Sequence, residues 1–508
     1  LVHADSPLFS AESPDAELVF GIVCAVGTDY RPVVDYLKNL LKRARYSSRE
    51  IHVSEHFRET TLALGLALNF SEQDEYARID SFMKAGTAIR NQLKEPGFAA
   101  LDAAFRICAS RPNAGGTQDR SLPRTAHIII SLKRTEEVDI LREIYGPGFY
   151  VIGISSSDQE RRLYLETEKG ISDGRNLDEL LQRDQKEETE PYGQRTRDTF
   201  EEADVFVDLK DDQYKTCLKR FLHLVFGYPY VTPTRDEYGM FLAYAASVRS
   251  GSLARQVGAS IMSPSGDLLA AGCNDVPSPR GGLYWDDDGT EDRRDHLIGF
   301  DANDVHKQRI IDQAATRFAA LAPEHSEEER TVRALESAVK GAIANLTEFG
   351  RSVHAEMDAI TTCARNGIGV AGATLYTTTF PCHTCTRHII ASGFKRVIYA
   401  EPYPKSQAEM LHGDAICFAN GKKPDTDFAK IPFLPFVGIG PRRFFNLFSL
   451  RLSDGYRIER KQQGKTLTWR LETDARPRVP LQSTSYLERE ACIFEKLETL
   501  YSNGVPQL

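Results

Sequence analysis

His354-Ala355-Glu356 and Pro381-Cys382-His383-Thr384-Cys385 decide how this chain is read, together with the runs Thr374-Leu375-Tyr376-Thr377 and Arg396-Val397-Ile398-Tyr399-Ala400 that bracket the second motif. Both runs have the length and composition of strands. The segment between them reads as a helix that opens at Pro381 and ends near Gly393, so strand, helix and strand follow one another as in a layered α/β domain. Arg351 to Cys363 reads as another helix, with His354 and Glu356 in its first turn. Each motif thus falls at a helix N-terminus, where unpaired N–H groups and the macrodipole favour thiolate over thiol.

The residue types suit a metal. Structural zinc takes four protein ligands, whereas catalytic zinc keeps one position for water, and His354, Cys382 and Cys385 supply three. Two thiolates balance the Zn²⁺ charge formally, yet the ion still lowers the pKa of its water enough to supply hydroxide near neutral pH. Glu356 stands two residues past His354 and reads as an acid/base carboxylate, not as a ligand. His383 points away from the metal if the Cys-x-x-Cys turn is helical. His296 and His306 sit in a stretch crowded with Asp, Arg and Gly, where they read as solvated histidines more readily than as ligands.

At 508 residues the chain should divide into two or three domains, and 41% hydrophobic with 27% charged residues describes ordinary soluble globular material. No run approaches the ~18 apolar residues of a membrane span, and Leu1 to Pro14 lacks the blocks of a signal peptide, so a cytoplasmic protein without a membrane partner is expected. A net charge of −9 gives no global attraction for nucleic acid but leaves small nucleotides as partners. The nine cysteines are scattered, unlike a disulfide framework, and only Cys382 and Cys385 have ligand spacing.

Four segments are expected. Residues 1–17 read as a flexible leading segment, and 18–228 as a first domain in which Leu18–Val23, His127–Ile130, Phe149–Ile154 and Val205–Val207 are strands alternating with helices around a parallel sheet. At its first strand-to-helix junction, Gly21, Gly27, Thr28 and Asp29 form a degenerate phosphate loop: the glycine interval is one residue too long, and Thr28-Asp29 stands where Lys-Ser/Thr would neutralise phosphate. That favours an architectural or regulatory nucleotide role over phosphoryl transfer. Residues 229–440 read as the second domain, with a hairpin at Gly258–Met262 and Leu268–Ala271, an insertion at about 278–326, and Val332, Leu335, Val339, Ile343 and Leu346 at helical spacing. Residues 441–508 read as an extension for packing or assembly, carrying a hairpin of Tyr456–Arg460 and Thr466–Arg470.

With Arg255-Gln256-Val257-Gly258-Ala259 and Gly272-Cys273-Asn274-Asp275-Val276-Pro277, the H-x-E and P-C-x-x-C motifs make the second domain resemble the cytidine and deoxycytidylate deaminases. The resemblance implies a five-stranded mixed sheet between helices, a cytidine deaminase-like α/β/α sandwich, with one catalytic Zn²⁺ per chain. It also implies attack at C4 of cytosine, with Glu356 passing a proton to N3 and then helping ammonia leave. It places Asn274 on the sugar hydroxyl and the Ala355 backbone on the pyrimidine carbonyl; for Asn274 the alternative is a turn-forming Asn after a strand. Tyr403 and Lys405 are candidate substrate contacts, Lys405 for phosphate or else as a solvated lysine in a Pro-rich turn; Arg255 offers the same choice.

Over nearly its full length the chain is similar to the AvcD-like anti-phage dCTP/dCMP deaminases, in which a P-loop-kinase-like domain precedes the zinc domain. The likeness is carried by Gly27-Thr28-Asp29, Ser131-Leu132-Lys133-Arg134, Glu143-Ile144-Tyr145-Gly146-Pro147-Gly148-Phe149, Glu401-Pro402-Tyr403-Pro404-Lys405-Ser406 and Phe436-Val437-Gly438-Ile439-Gly440-Pro441-Arg442-Arg443. It implies depletion of cytosine deoxynucleotides during infection, a regulatory nucleotide, restraint by a cognate small RNA, and a homo-oligomer such as a hexamer. Two other readings stand beside it: a deaminase acting on a base in RNA or single-stranded DNA, and a nucleotide- or RNA-responsive defence regulator whose zinc is mainly structural.

Overall fold

Strand β1 (Leu18–Cys24) is buried along its whole length, as its unbroken apolar run requires of a central strand in a sheet covered on both faces. The computed structural model describes residues 15–111, 121–185, 190–321, 349–401, 406–418, 430–452, 455–479 and 483–504. They fall into two units, Leu1–Thr234 with Val437–Leu508, and Arg235–Phe436. No helix among the described residues is long and apolar enough to cross a membrane.

In the first unit β1 is followed by the helix Arg31–Arg43, which has Pro in its first turn and buries Val33, Val34, Leu37, Leu40 and Leu41 at helical spacing. Strands β2 (Ser47–His52), β3 (Thr125–Ile130), β4 (Phe149–Ser155) and β5 (Val205–Asp208) complete a parallel sheet in the order β5-β4-β1-β3-β2. β2 has no fully buried residue, so it lacks the apolar run that marks its neighbours; as an edge strand it carries Arg49 and Glu50 in place of a core face. Gly21 lies within β1, where a Cβ would come 2.6 Å from Leu132 Cδ1. It is a packing glycine, not the opening of a phosphate loop, and the junction proper is residues 25–30.

Charged residues brace this unit from inside. Arg111, fully buried, pairs with Glu17 (3.1 Å) and Glu490 (2.5 Å). The Tyr486 hydroxyl donates to Glu17 and that of Tyr145 to Glu490, at 2.6 and 2.7 Å. Burial alone would raise the pKa of Glu17, but the His127 hydrogen bond and the Arg111 charge hold it down at about 2, whereas burial keeps that of Glu490 raised. Ala16 and Glu17 are thus core residues, and the expected leading segment 1–17 ends earlier than its composition suggested.

The second unit is built on a mixed six-stranded sheet of β6 (Gly258–Met262), β7 (Leu268–Cys273), β8 (Thr374–Thr379), β9 (Arg396–Glu401), β10 (Ile416–Phe418) and β11 (Ile431–Pro435), in the order β10-β11-β9-β8-β6-β7. The β6–β7 and β6–β8 pairs are antiparallel and the rest parallel. It exceeds the implied five-stranded sheet by one strand. Ala259 pairs with Gly272 and Gly258 with Cys273, so Gly258 and Gly272 face opposite sides. A Cβ on Gly258 would lie 1.9 Å from the Ala243 carbonyl of the helix Arg235–Ser247. One on Gly272 would lie 2.5 Å from the Ala359 nitrogen of the helix Ala355–Arg365. Helices therefore cover both faces at backbone distance. Gly272→Ala is expected to push the second helix outward, at a cost of about 1–3 kcal/mol in urea unfolding. Wild-type stability in that variant would refute the close packing.

Within the expected insertion the described residues include the helix Ala302–Leu321; the 332–346 pattern lies outside them. Beyond the second unit the chain returns to the first sheet. Strand β12 (Gly438–Ile439) pairs antiparallel with β5, and the helix Ser483–Gly504 supplies Tyr486 and Glu490 to the buried network. The expected C-terminal hairpin shrinks to β13 (Lys461–Gln462) and β14 (Lys465–Thr466); just beyond them Leu467 N–H still donates to Arg460 O at 3.2 Å, and the Tyr230 hydroxyl sits within hydrogen-bond distance of both carbonyls.

Candidate active site

His354 is the N-cap of the helix Ala355–Arg365, and Cys382 is the N-cap of His383–Ala391. Each helix therefore starts slightly later than its composition suggests, and two of the three candidate ligands sit in extended backbone at the helix mouths. Cys382 Sγ accepts the Cys385 N–H at 3.4 Å, and Cys382 O accepts both the N–H and the hydroxyl of Thr386, fixing the turn that brings the two sulfurs together. Sheet order does the rest: β6 lies between β7, which carries the histidine's helix, and β8, which leads to the cysteines.

His354 Nδ1 lies 3.3 Å from Cys382 Sγ and 3.4 Å from Cys385 Sγ, and the three donor atoms fall within 4.8 Å of one another. Tetrahedral zinc with ordinary Zn–N and Zn–S lengths separates such donors by about 3.6–3.8 Å, so this donor set fits zinc. Among the described residues these three form the one metal-capable group; His383 stands outside it, as do the exposed His296 and His306. Hydrogen bonding to Cys385 lowers the Cys382 thiol pKa to about 3, and the Cys382 contact raises that of His354 to about 9. The contact with Cys382 and burial push the Cys385 thiol up, so without an ion the three donors share their protons unequally.

Glu356 is 4% exposed, with Oε2 3.4 Å from Cys385 Sγ, and burial raises its pKa. A buried carboxylate beside the donor triplet, yet not a member of it, has the placement of a proton carrier. Ala355 is fully buried, and its N–H is the first of the helix, among those with no intrahelical acceptor. Asn274 binds the backbone of the preceding segment: its Oδ1 accepts the Val257 N–H at 2.6 Å and its Nδ2 donates to Arg255 O at 2.9 Å. These bonds tie the end of β7 to the segment before β6 and leave one amide hydrogen and one lone pair of Asn274 for a ligand. Arg255 Nη1 approaches Glu401, which also accepts from the Thr379 hydroxyl. Tyr403 and Lys405 lie outside the described residues.

One residue the motifs do not mark is Asp358. It is 3% exposed, one helical turn past His354, and accepts the Cys273 N–H at 3.2 Å, tying the glutamate-bearing helix to β7. An acidic residue at i+4 on an otherwise apolar helix face was its available signal. In the first unit, Gly27 (φ +84°) packs against Arg161, Thr28 N–H donates to Ala25 O and Asp29 pairs with Arg31 at 2.8 Å, while Thr28 Oγ1 is buried without a hydrogen-bond partner.

Residues 233–401 match the family described as the cytidine and deoxycytidylate deaminase zinc-binding region, which defines the class. The deoxycytidylate deaminase of Enterobacteria phage T4 is 30% identical over 169 residues, 33% of this chain and 77% of that protein, and the chain belongs, through this region, to the deoxycytidylate deaminase family. The phage T2 deoxycytidylate deaminase is 29% identical over 169 residues, covering 33% of this chain and 79% of its own. Among solved structures, the dCMP deaminase of cyanophage S-TIM5 with dCMP and dUMP is 19% identical, with a TM-score of 0.22 over 36% of this chain and 94% of that one.

Proposed function

We propose that the second unit hydrolytically deaminates free cytosine deoxynucleotides, dCTP and/or dCMP, to their uracil counterparts. The observation that carries this is the coincidence of one imidazole, two sulfurs and a separate buried carboxylate within one pocket. His354, Cys382 and Cys385 would hold a zinc ion, which when bound would supply the Lewis acidity that makes water nucleophilic near neutral pH. Glu356 takes a proton from the attacking water and delivers it to N3 as oxygen adds to C4. The carboxylate so regenerated then takes the second proton from the new C4 hydroxyl and passes it to the exocyclic amine as the C4–N4 bond breaks, releasing ammonia and leaving the uracil carbonyl. The Ala355 N–H is offered to the pyrimidine carbonyl, the remaining Asn274 amide hydrogen to the sugar, and Tyr403 and Lys405 to the nucleotide's outer end.

In the wider reading the reaction depletes dCTP as an anti-phage response, in a homo-oligomer open to restraint by a regulatory nucleotide or a small RNA; the similarity to AvcD-like proteins supports it. The purified chain should convert dCTP or dCMP to the uracil product while leaving a cytosine-containing oligonucleotide intact. Conversion of the oligonucleotide alone would overturn the free-nucleotide assignment.

A further inference from the structure

Where the chain leaves β7, residues 273–275 are fastened at two points to the segment that carries His354 and Glu356. Asp275 and Val353 exchange both backbone hydrogen bonds, at 3.3 and 2.9 Å, immediately before His354. On the other side, Cys273 N–H donates to Asp358 Oδ2 at 3.2 Å, one turn into the helix Ala355–Arg365. Asn274 lies between the two ties.

The Asp358 bond answers a need created by the sheet. Asn274 N–H donates to Val257 O at 3.1 Å, so Cys273, one residue earlier in an antiparallel strand, turns its own N–H away from β6. β7 is the edge strand and Cys273 is 1% exposed, so that amide meets neither a neighbouring strand nor water. The helix supplies its acceptor in Asp358, itself 3% exposed.

Packing does little to set the register here. Gly272 offers the helix a surface without a side chain, and a Cβ there would come 2.6 Å from Ala355 O and 2.5 Å from the Ala359 nitrogen. A contact of glycine against alanine has few ridges and grooves to resist sliding. Directional bonds at Cys273 and Asp275 do resist it. Asn274, whose side chain is aimed by Val257 N–H and Arg255 O, therefore keeps its distance from Glu356 through these ties.

We propose that Asp358 is a positioning residue for deamination: through Cys273 N–H it holds Asn274 in register with the helix that carries Glu356, and so sets the affinity for the nucleotide's sugar. This rests on the deaminase reading above, in which the remaining Asn274 amide hydrogen is offered to the sugar. No proton or group passes through Asp358. Since Glu356 and the donor triplet are untouched, losing the tie weakens substrate binding more than turnover.

The test is steady-state kinetics of the full chain on dCMP and dCTP, with zinc content measured on every variant. Asp358→Ala is expected to raise KM about fivefold or more, with kcat within about threefold and zinc at the wild-type level. Asp358→Asn keeps an acceptor oxygen of the same reach and should hold KM within about threefold of wild type. Asp358→Glu keeps acceptor and charge but lengthens the tie by one methylene; it too should raise KM about fivefold or more, and it serves if the alanine variant does not fold. In an Asn274→Ala background either substitution should change KM by less than about twofold, because the residue it acts through is gone. The proposal is overturned if KM rises less than about fivefold in both Asp358→Ala and Asp358→Glu, if Asp358→Asn is as impaired as they are, or if their effects multiply with that of Asn274→Ala. A wild-type chain that turns over neither nucleotide would instead sink the deaminase reading, and the role of Asp358 with it.

Discussion

Glu356→Gln is expected to lower deamination of dCTP or dCMP on the order of 10²–10⁴-fold in kcat while the chain still carries one zinc. The substitution keeps the shape of a side chain that is 4% exposed and packed 3.4 Å from Cys385 Sγ, so folding should be unaffected. It removes only the capacity to accept and return a proton. Because the donor triplet consists of His354, Cys382 and Cys385, metal content measured by atomic absorption should stay at the wild-type level, whereas Cys382→Ala should lose both zinc and activity. Retention of more than about a tenth of wild-type kcat in Glu356→Gln would remove this residue from the proton relay.

Arg111→Met should cost about 3–5 kcal/mol of stability in urea unfolding at neutral pH, because it strands Glu17 and Glu490, each 1% exposed, without their shared counter-charge. The sign of the pH dependence follows from Glu17, whose pKa is held down at about 2. In the intact protein its stabilising contribution is complete above the ordinary value of 4.5 and is lost as pH falls towards 2. Without Arg111 that depression shrinks and the elevation at Glu490 grows. The deficit of the variant is then full at pH 7 and narrows as pH drops through the carboxylate range. Adding Glu17→Gln and Glu490→Gln should recover much of the loss. A deficit below about 1 kcal/mol, or one independent of pH, would show that the network does not bear on folding.

What could be read from the sequence followed from how each element meets solvent. β1, β3, β4 and β5 are nearly all buried, and an unbroken apolar run records that directly. β2 was illegible because its side chains are polar and half-exposed, and β12 because two residues carry no periodicity. The donor triplet was legible because helix-mouth spacing dictates it, although both helices begin past Arg351 and Pro381. Charged residues usually mark surface, so Glu17, Arg111 and Glu490, separated by 94 and 379 positions, gave no sign of meeting in a core. Gly21 was read as a loop glycine because glycine in a strand and glycine in a turn look alike until the neighbours, here Leu132 and Phe149, are known. Asn274 was left between two roles, and the Val257 and Arg255 backbone takes up both ends of its amide.

The return of β12 to β5 has a consequence for biosynthesis. On the ribosome β5 is complete at Asp208, but its antiparallel neighbour emerges only with Gly438, after the whole of Arg235–Phe436 has been made. At ordinary translation rates that interval is roughly ten to fifty seconds, during which a nascent sheet offers an uncapped edge. The second unit, contiguous in sequence, can mature as soon as it emerges, so the half of the molecule begun first is the half finished last.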